Sequence, residues 1–181
     1  MCKFKSAIIL KGRVFIPDYD SHSDMLDKLG IEDTRANAER LFIRAELYPN
    51  DGDVFSDIDT WIFHVDQDIR PEWFVEEVDK ARMITAVKEW AKNHIYIGVN
   101  GLKIEGGNEY YIKDCKNVEI VNATVTACGS STVTAWNSST VIKPPFSSFQ
   151  KSNLILSQNA TFKDCQAKVI YQSGDWELRS V

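Results

Sequence analysis

The stretch NATVTACGSSTVTAWNSSTVIK, residues 122–143, repeats itself with a period of eight residues. Valine recurs at Val125, Val133 and Val141, and alanine follows two residues later at Ala127 and Ala135. An even period keeps equivalent side chains on the same face of successive strands. The pattern therefore predicts stacked short strands with Val and Ala inside, either as a β-solenoid or as a compact meander.

The β-type pattern extends on both sides of this repeat. Short apolar runs separated by Gly, Asn and Ser begin after the first half of the chain, and they predict an all-β repeat module over residues 99–181. KDCKNVEI around Cys115 is echoed by KDCQAKVI around Cys165, whereas Pro144, Pro145 and Phe146 interrupt the octads. No Cys-x-x-Cys pair is present, so we expect Cys115, Cys128 and Cys165 to be free thiols on inward strand positions.

The first half of the chain has a different pattern. Residues 4–10 and 14–16 predict a hairpin, Ser21 or Ser23 can cap a helix that ends at Gly30, and residues 41–48 and 60–66 read as strands. Pro71 is expected to begin a long helix that runs to His94. The expected fold class is α+β: a small antiparallel sheet with two helices over residues 1–98, followed by the repeat module.

The charge distribution singles out one segment of the first half. Residues 18–79 contain eighteen acidic and five basic side chains, a net charge of −13 within a chain whose total is −5. Such a field attracts cationic partners and repels phosphates, so this segment is not expected to bind nucleic acid directly. The segment is typical either of a solvated face with an ordinary helix amino terminus, or of a partner-binding surface that imitates nucleic acid, for which Phe74 is a further possible apolar anchor. The predicted partner-binding residues are Asp51, Asp53, Asp57, Asp59, Trp61, Asp66, Asp68, Glu72, Trp73, Glu76, Glu77 and Asp79.

Two enzymatic patterns compete with this interpretation. Asp57-Ile58-Asp59 and Asp66-Gln67-Asp68 are Asp-x-Asp pairs, which could hold a divalent cation for a hydrolase, with His64 nearby in sequence. Neither pair has the spacing of an EF-hand loop, and Ser21-His22-Ser23 is better explained by helix capping than by nucleophilic catalysis. We therefore predict no catalytic residue, no metal site and no cofactor.

A second alternative is a protein that sequesters a nucleotide signal. Such a protein needs a basic or aromatic pocket, for which Lys103, Lys113, Tyr110 and Tyr111 are the candidates.

No apolar run approaches the length of a membrane span, and the start of the chain resembles a strand more than a signal peptide. We therefore expect a cytoplasmic protein without a membrane partner.

Three segments together carry a resemblance to known proteins: CKFKSAIILKGRVFIPDYDSHSDMLDKLGI, the PEWF…EWAKNHIYIG helix, and YIKDCKNVEIVNATVTACGSSTVTAW. The chain resembles a group of proteins from phages and mobile elements of gut bacteria, in which longer members carry many more Ala-Thr-Val-x-Ala octads. This resemblance implies a setting in which small proteins antagonise host defence. It suggests an anti-CRISPR protein that binds a type II RNA-guided nuclease in the bacterial host cell.

The edge of the repeat module suggests one more partner. The last strand of a sheet leaves backbone N–H and C=O groups unpaired, and these groups can pair with another strand. We therefore expect the β module to allow homodimer formation, which light scattering at micromolar concentration would detect.

Overall fold

The structure is a computed structural model that describes residues 4–144, 147–148, 154–157, 159–164, 169–172 and 175–180, with side chains up to residue 164. The chain divides into two compact units, residues 1–92 and 93–181. The boundary lies before the predicted one at residue 98, because a strand at Ile95–Ile97 pairs with Tyr110–Lys113 of the repeat module. Cys2, Pro145, Phe146 and the central part of the echo, residues 165–168, lie outside the described residues.

The first unit is an antiparallel sheet with helices, as predicted, and a short helix at Arg35–Ala38 adds to the two helices that were expected. Its sheet has the strand order β2-β1-β3-β4. A single 3₁₀ turn, Ile58–Thr60, precedes the last strand. In chain order the elements are β1 (Lys5–Leu10), β2 (Arg13–Phe15), α1 (His22–Lys28), α2 (Arg35–Ala38), β3 (Phe42–Tyr48), β4 (Ile62–Val65) and α3 (Glu76–Ala91).

Both faces of this sheet are buried. Ile8 and Phe42 point to one face, where they pack with Met25 and Leu26 of α1. On the other face the Lys5 ammonium lies 4.5 Å from the centre of the Trp90 ring of α3. The alternation of β1 and β3 therefore supplies two cores, which explains why every residue of β1 is buried.

Helix boundaries follow the capping side chains. The Ser21 hydroxyl accepts a hydrogen bond from the Asp24 N–H at 3.2 Å, which confirms Ser21 as the cap of α1. The predicted start of the long helix at Pro71 is wrong. α3 begins at Glu76, because the Asp79 carboxylate accepts a hydrogen bond from the Val75 N–H at 3.1 Å and so binds the first orphan donor there.

The second unit is a β-solenoid of about three turns built from two parallel sheets. One sheet runs β12-β10-β8-β6 and the other begins with β5, β7, β9, β11 and β13. Two antiparallel strands, β14 and β15, follow β13 and end the second sheet. The elements are β5 (Ile95–Ile97), β6 (Lys103–Glu105), β7 (Tyr110–Lys113), β8 (Val118–Val121), β9 (Thr124–Cys128), β10 (Val133–Trp136), β11 (Thr140–Lys143), β12 (Leu154–Leu156), β13 (Thr161–Asp164), β14 (Val169–Gln172) and β15 (Asp175–Ser180).

The octad is half of one solenoid turn. Thr140 pairs with Thr124, sixteen residues earlier, whereas the intervening octad forms β10 in the opposite sheet. Val125, Val133 and Val141 are all buried, so the prediction that the valines fill the core is confirmed. They reach that core from two sheets, because consecutive octads lie on opposite sides of it.

Serine side chains close the corners between octads. The buried Ser131 hydroxyl accepts from the Cys115 N–H at 3.1 Å and donates to the Cys128 carbonyl at 2.8 Å. Ser139 occupies the equivalent corner one octad later, and its hydroxyl donates to the Trp136 carbonyl at 2.6 Å. Each hydroxyl thus bonds backbone groups that a corner would otherwise leave unpaired.

A second corner requires left-handed backbone. Asp114 and Gly129 have φ angles of 56° and 62°. They follow the paired residues Lys113 and Cys128, so they occupy equivalent corners of neighbouring turns. The Asp114 carboxylate accepts hydrogen bonds from the Ser130 N–H at 2.8 Å and the Ser130 hydroxyl at 3.1 Å. These bonds hold the pKa of Asp114 below its usual range, the backbone bond having the larger effect.

The described cysteines differ in position. Cys115 is a fully buried free thiol, as predicted, and its sulfur lies 3.4 Å from the Tyr96 carbonyl. Cys128 does not occupy the inward position that we expected: it is half-buried, because it follows the inward Ala127 on β9. In the part of the chain that the structure describes, no helix has the length and apolar character needed to cross a bilayer.

Candidate partner-binding surface

The predicted acidic surface is divided by β4 into two groups of carboxylates. Lys88, near the end of α3, binds Asp59 of the first group, whereas Glu76 of the second group is the first residue of α3. Twelve residues of helix separate these two positions, which corresponds to about 18 Å. We call Asp51, Asp53, Asp57 and Asp59 the loop group, and Asp66, Asp68, Glu72, Glu76 and Glu77 the helix-entry group.

Carboxylates of the loop group bond mainly to their own loop. Asp51 accepts a hydrogen bond from the Asp53 N–H and Asp53 from the Phe55 N–H, each at 3.0 Å. Asp57 accepts from the Asp59 N–H at 3.1 Å and caps the 3₁₀ turn. These are Asx turns, which aspartate favours because its short side chain reaches the backbone two residues ahead. Hydrogen bonds within its own loop therefore hold the loop group in place.

One member of the loop group is neutralised by a distant lysine. The Lys88 ammonium lies 2.6 Å from the Asp59 carboxylate, joining the 3₁₀ turn to α3. Sequence patterns did not indicate this pair, because the two residues are twenty-nine positions apart. Asp59 is consequently less available to an external cation than its exposure alone suggests.

The loop that carries the helix-entry group is anchored by Gln67. The Gln67 amide accepts a hydrogen bond from the Arg44 N–H at 2.8 Å and donates to the Phe42 carbonyl at 3.2 Å. These bonds continue the pairing of β3 beyond the end of β4. The flanking Asp66 and Asp68 are exposed, and the Asp66 carboxylate lies 3.5 Å from Nδ1 of His22. Gln67 is thus a positioning residue that the sequence analysis missed.

Three carboxylates of the helix-entry group carry uncompensated charge. Glu76 is paired with Arg70 at 2.7 Å, and the Arg70 guanidinium also lies 5.5 Å from the centre of the Phe74 ring. Asp68, Glu72 and Glu77 are exposed and form no ion pair within the described residues. With Arg70 and Lys88 counted as their cationic partners, the helix-entry group has a formal charge of −4 and the loop group one of −3.

The predicted aromatic anchors differ in exposure. Trp61 is only 2% exposed, its ring lies 5.1 Å from that of Phe4, and its indole N–H donates to the Ser56 hydroxyl at 3.0 Å. Trp61 is therefore a core residue and cannot anchor a partner from the surface. Trp73 and Phe74 are half-buried beside the helix-entry group, and the Trp73 N–H donates to the Arg40 carbonyl at 2.7 Å.

Asp79 also lies in the core. It is 1% exposed, and its carboxylate pairs with Arg82 at 2.7 Å in addition to capping Val75. A carboxylate buried in this way stabilises the start of α3 and does not contribute to a binding surface. The sequence predicted a surface position for Asp79 because acidic residues precede it in the chain. That pattern does not distinguish an exposed carboxylate from one that caps a helix.

The arrangement does not favour metal or acid–base chemistry. Within the described residues, no group of three or more His, Cys, Asp or Glu side chains could hold a metal ion. Asp57 and Asp59 point to a backbone N–H and to Lys88, so the first Asp-x-Asp pair does not converge on a common point. His64 is an exposed residue of edge strand β4.

The candidates for a nucleotide pocket are on different sheets. Lys103 belongs to β6, whereas Tyr110, Tyr111 and Lys113 belong to β7 in the other sheet. A hydrogen bond between Lys103 and Glu105 raises the pKa of Lys103 and lowers that of Glu105. Tyr110 is stacked on His94 with ring centres 5.4 Å apart. The four side chains therefore do not form one site.

No protein-family model, curated protein or solved structure matches this chain.

Proposed function

We propose that the protein is a non-enzymatic inhibitor of host defence from a phage or mobile element, and that the helix-entry group binds the basic nucleic-acid site of its target. The observation that carries this proposal is the uncompensated charge of Asp68, Glu72 and Glu77 beside the half-buried Trp73 and Phe74. Anionic groups around an aromatic anchor complement arginine and lysine side chains that normally contact phosphates.

The specific target that we propose is a type II RNA-guided nuclease. Such an enzyme holds its heteroduplex in a positively charged channel and reads its short DNA motif with arginines. A protein that occupies either surface blocks the nuclease without any chemical step. Because charge dominates the association, binding should weaken steeply as the salt concentration rises.

The test measures phage plaquing on bacteria whose type II CRISPR system targets the phage. The wild-type protein should restore plaquing, and a variant carrying both Asp68→Lys and Glu72→Lys should not. These side chains are exposed and form no ion pair within the described residues, so the fold should survive their reversal. The matched control is Asp27→Lys with Glu32→Lys, which changes the charge equally on exposed positions outside both acidic groups.

Two outcomes count against the proposal. Full inhibition by the Asp68→Lys, Glu72→Lys variant would remove the helix-entry group from the mechanism. Unchanged plaquing with soluble wild-type protein would reject the nuclease as the target. The same variants, once purified, should differ in their affinity for the nuclease in titrations at two salt concentrations. Only the control variant should retain the wild-type affinity.

A further inference from the structure

A groove lies between the β1–β2 turn and α3 of the first unit. Its volume is about 700 Å³, and its apolar lining includes Val14, Val78, Ala81 and Ala86. Val78, in the first turn of α3, is 45% exposed although its side chain is apolar. Exposed apolar side chains that line a groove offer a contact surface to an occupant.

One wall of the groove is an edge strand. β2 is the first strand in the sheet order β2-β1-β3-β4 and therefore lies at an edge. Next to the turn Arg13 pairs with Leu10, and the following pair is Val14 with Ile9. A two-residue turn makes the first pair after it a hydrogen-bonded pair, and the next pair is then not hydrogen-bonded. The N–H and C=O of Val14 therefore point away from β1, toward any strand added at this edge.

The two walls carry opposite charges. Arg13 on β2 and Glu77 on α3 both line the groove, are exposed, and form no ion pair within the described residues. Arg82, the other guanidinium of the lining, is already paired with Asp79. A complementary occupant therefore presents an acidic group beside Arg13 and a basic group beside Glu77.

We propose that this groove binds an extended peptide segment of a partner protein, which adds as a strand to β2 and places an apolar side chain against Val78 and Ala81. Main-chain bonds to Val14 would supply affinity, and the charges of Arg13 and Glu77 would supply direction. A second copy of the chain that pairs through the same edge offers only its own β2. That strand has three residues, which are too few to pair with the edge and also fill the groove. The inference does not rest on the proposed function, although Glu77 belongs to both surfaces.

The test begins with a random peptide display library selected on the full-length protein. Enriched peptides should combine an apolar residue with an acidic and a basic residue, and synthetic copies should bind in a fluorescence anisotropy titration. Val78→Asp should lower their affinity roughly tenfold or more, since it places a charge against the apolar side chain. Val75→Asp is the matched control, because Val75 is 54% exposed and lies outside the groove.

Further variants separate this surface from the acidic one. Arg13→Glu should lower the affinity for the enriched peptides, and it serves as a second probe if Val78→Asp perturbs the fold. Asp68→Lys with Glu72→Lys should leave the peptide affinity unchanged. Amide exchange at Val14 should slow when peptide binds. The proposal is overturned if no peptide is enriched, or if Val78→Asp and Arg13→Glu both bind like wild type. It is also overturned if light scattering finds a wild-type dimer that Val78→Asp dissociates, because the occupant is then a second copy.

Discussion

The two units differ in how many of their stabilising contacts are repeated. In the solenoid, Val125 and Val141 occupy equivalent core positions, and Ser131 and Ser139 close equivalent corners. In the α+β unit, the Gln67 amide, the Asp79 carboxylate and the Lys88–Asp59 pair each occur once and fix one loop or one helix start. The repeated contacts build a scaffold from local rules, whereas the single contacts position the loops and the helix start that carry the acidic side chains.

The strongest test of this difference is a cavity in the solenoid core. Phe162 is 1% exposed and packs in the cluster that contains Val125 and Val141. Phe162→Ala should lower the free energy of unfolding by about 3–5 kcal/mol. Hydrogen exchange should detect the loss within residues 93–181 and leave β1 and β3 protected. The exposed Ile155→Ala is the control, with an expected effect below about 0.5 kcal/mol. Equal loss of protection in both units would show that they are not separately stabilised.

A single contact in the first unit should have a smaller effect. Asp79→Ala removes the acceptor of the Val75 N–H and one partner of Arg82, so we expect a loss of about 1–2 kcal/mol. Exchange should accelerate at the first turn of α3. The exposed Glu77→Ala is a matched control on the same turn. If Asp79→Ala unfolds only the solenoid, the assignment of this contact to the first unit is wrong.

A corner glycine tests the repeated backbone geometry. Gly129 has a φ of 62°, and a Cβ at this position would lie 2.3 Å from Oδ1 of Asp114. Gly129→Ala should destabilise the solenoid by about 1–2 kcal/mol from backbone strain alone, and further from the displaced carboxylate. Gly101→Ala shares the strain, with a φ of 73°, but no atom lies within 4 Å of its Cβ. Thermal unfolding of both variants isolates the clash, and equal shifts would exclude it.

The smallest effect concerns pH. The folded pKa of Asp114 is lowered by its bonds to Ser130, so the unfolded chain binds a proton more readily there. Its contribution to stability is therefore present above the ordinary aspartate pKa of about 3.9, and is lost as pH falls through the lower folded value. Urea midpoints measured from pH 6 to pH 2 should show a shallower decline in Asp114→Asn than in wild type. Parallel curves would contradict this assignment.

The sequence was most informative where structure is local and repeated. Val125, Val133 and Val141 indicated strands and their inward faces without any knowledge of the fold. The period alone could not distinguish neighbours in one sheet from partners across the core, because both arrangements point the valines inward. Pairing of Thr140 with Thr124 became clear only from the structure.

The candidate surface was less predictable because exposure depends on distant residues. Trp61 and Trp73 lie in similar acidic surroundings in the sequence, yet Phe4 helps to bury Trp61, whereas Trp73 stays half-buried. The Lys88–Asp59 pair and the Gln67 bridge also join positions more than twenty residues apart. Local charge density identified the acidic segment but not its division into two groups.

The half-turn octad has a consequence for the gene. Removing one octad would shift the following strands to the opposite sheet, with every later corner out of place. Removing sixteen codons would return each strand to its own sheet, as the pairing of Thr140 with Thr124 requires. Unequal recombination between octads of this array can therefore keep each strand in its own sheet when it adds or removes two octads at a time.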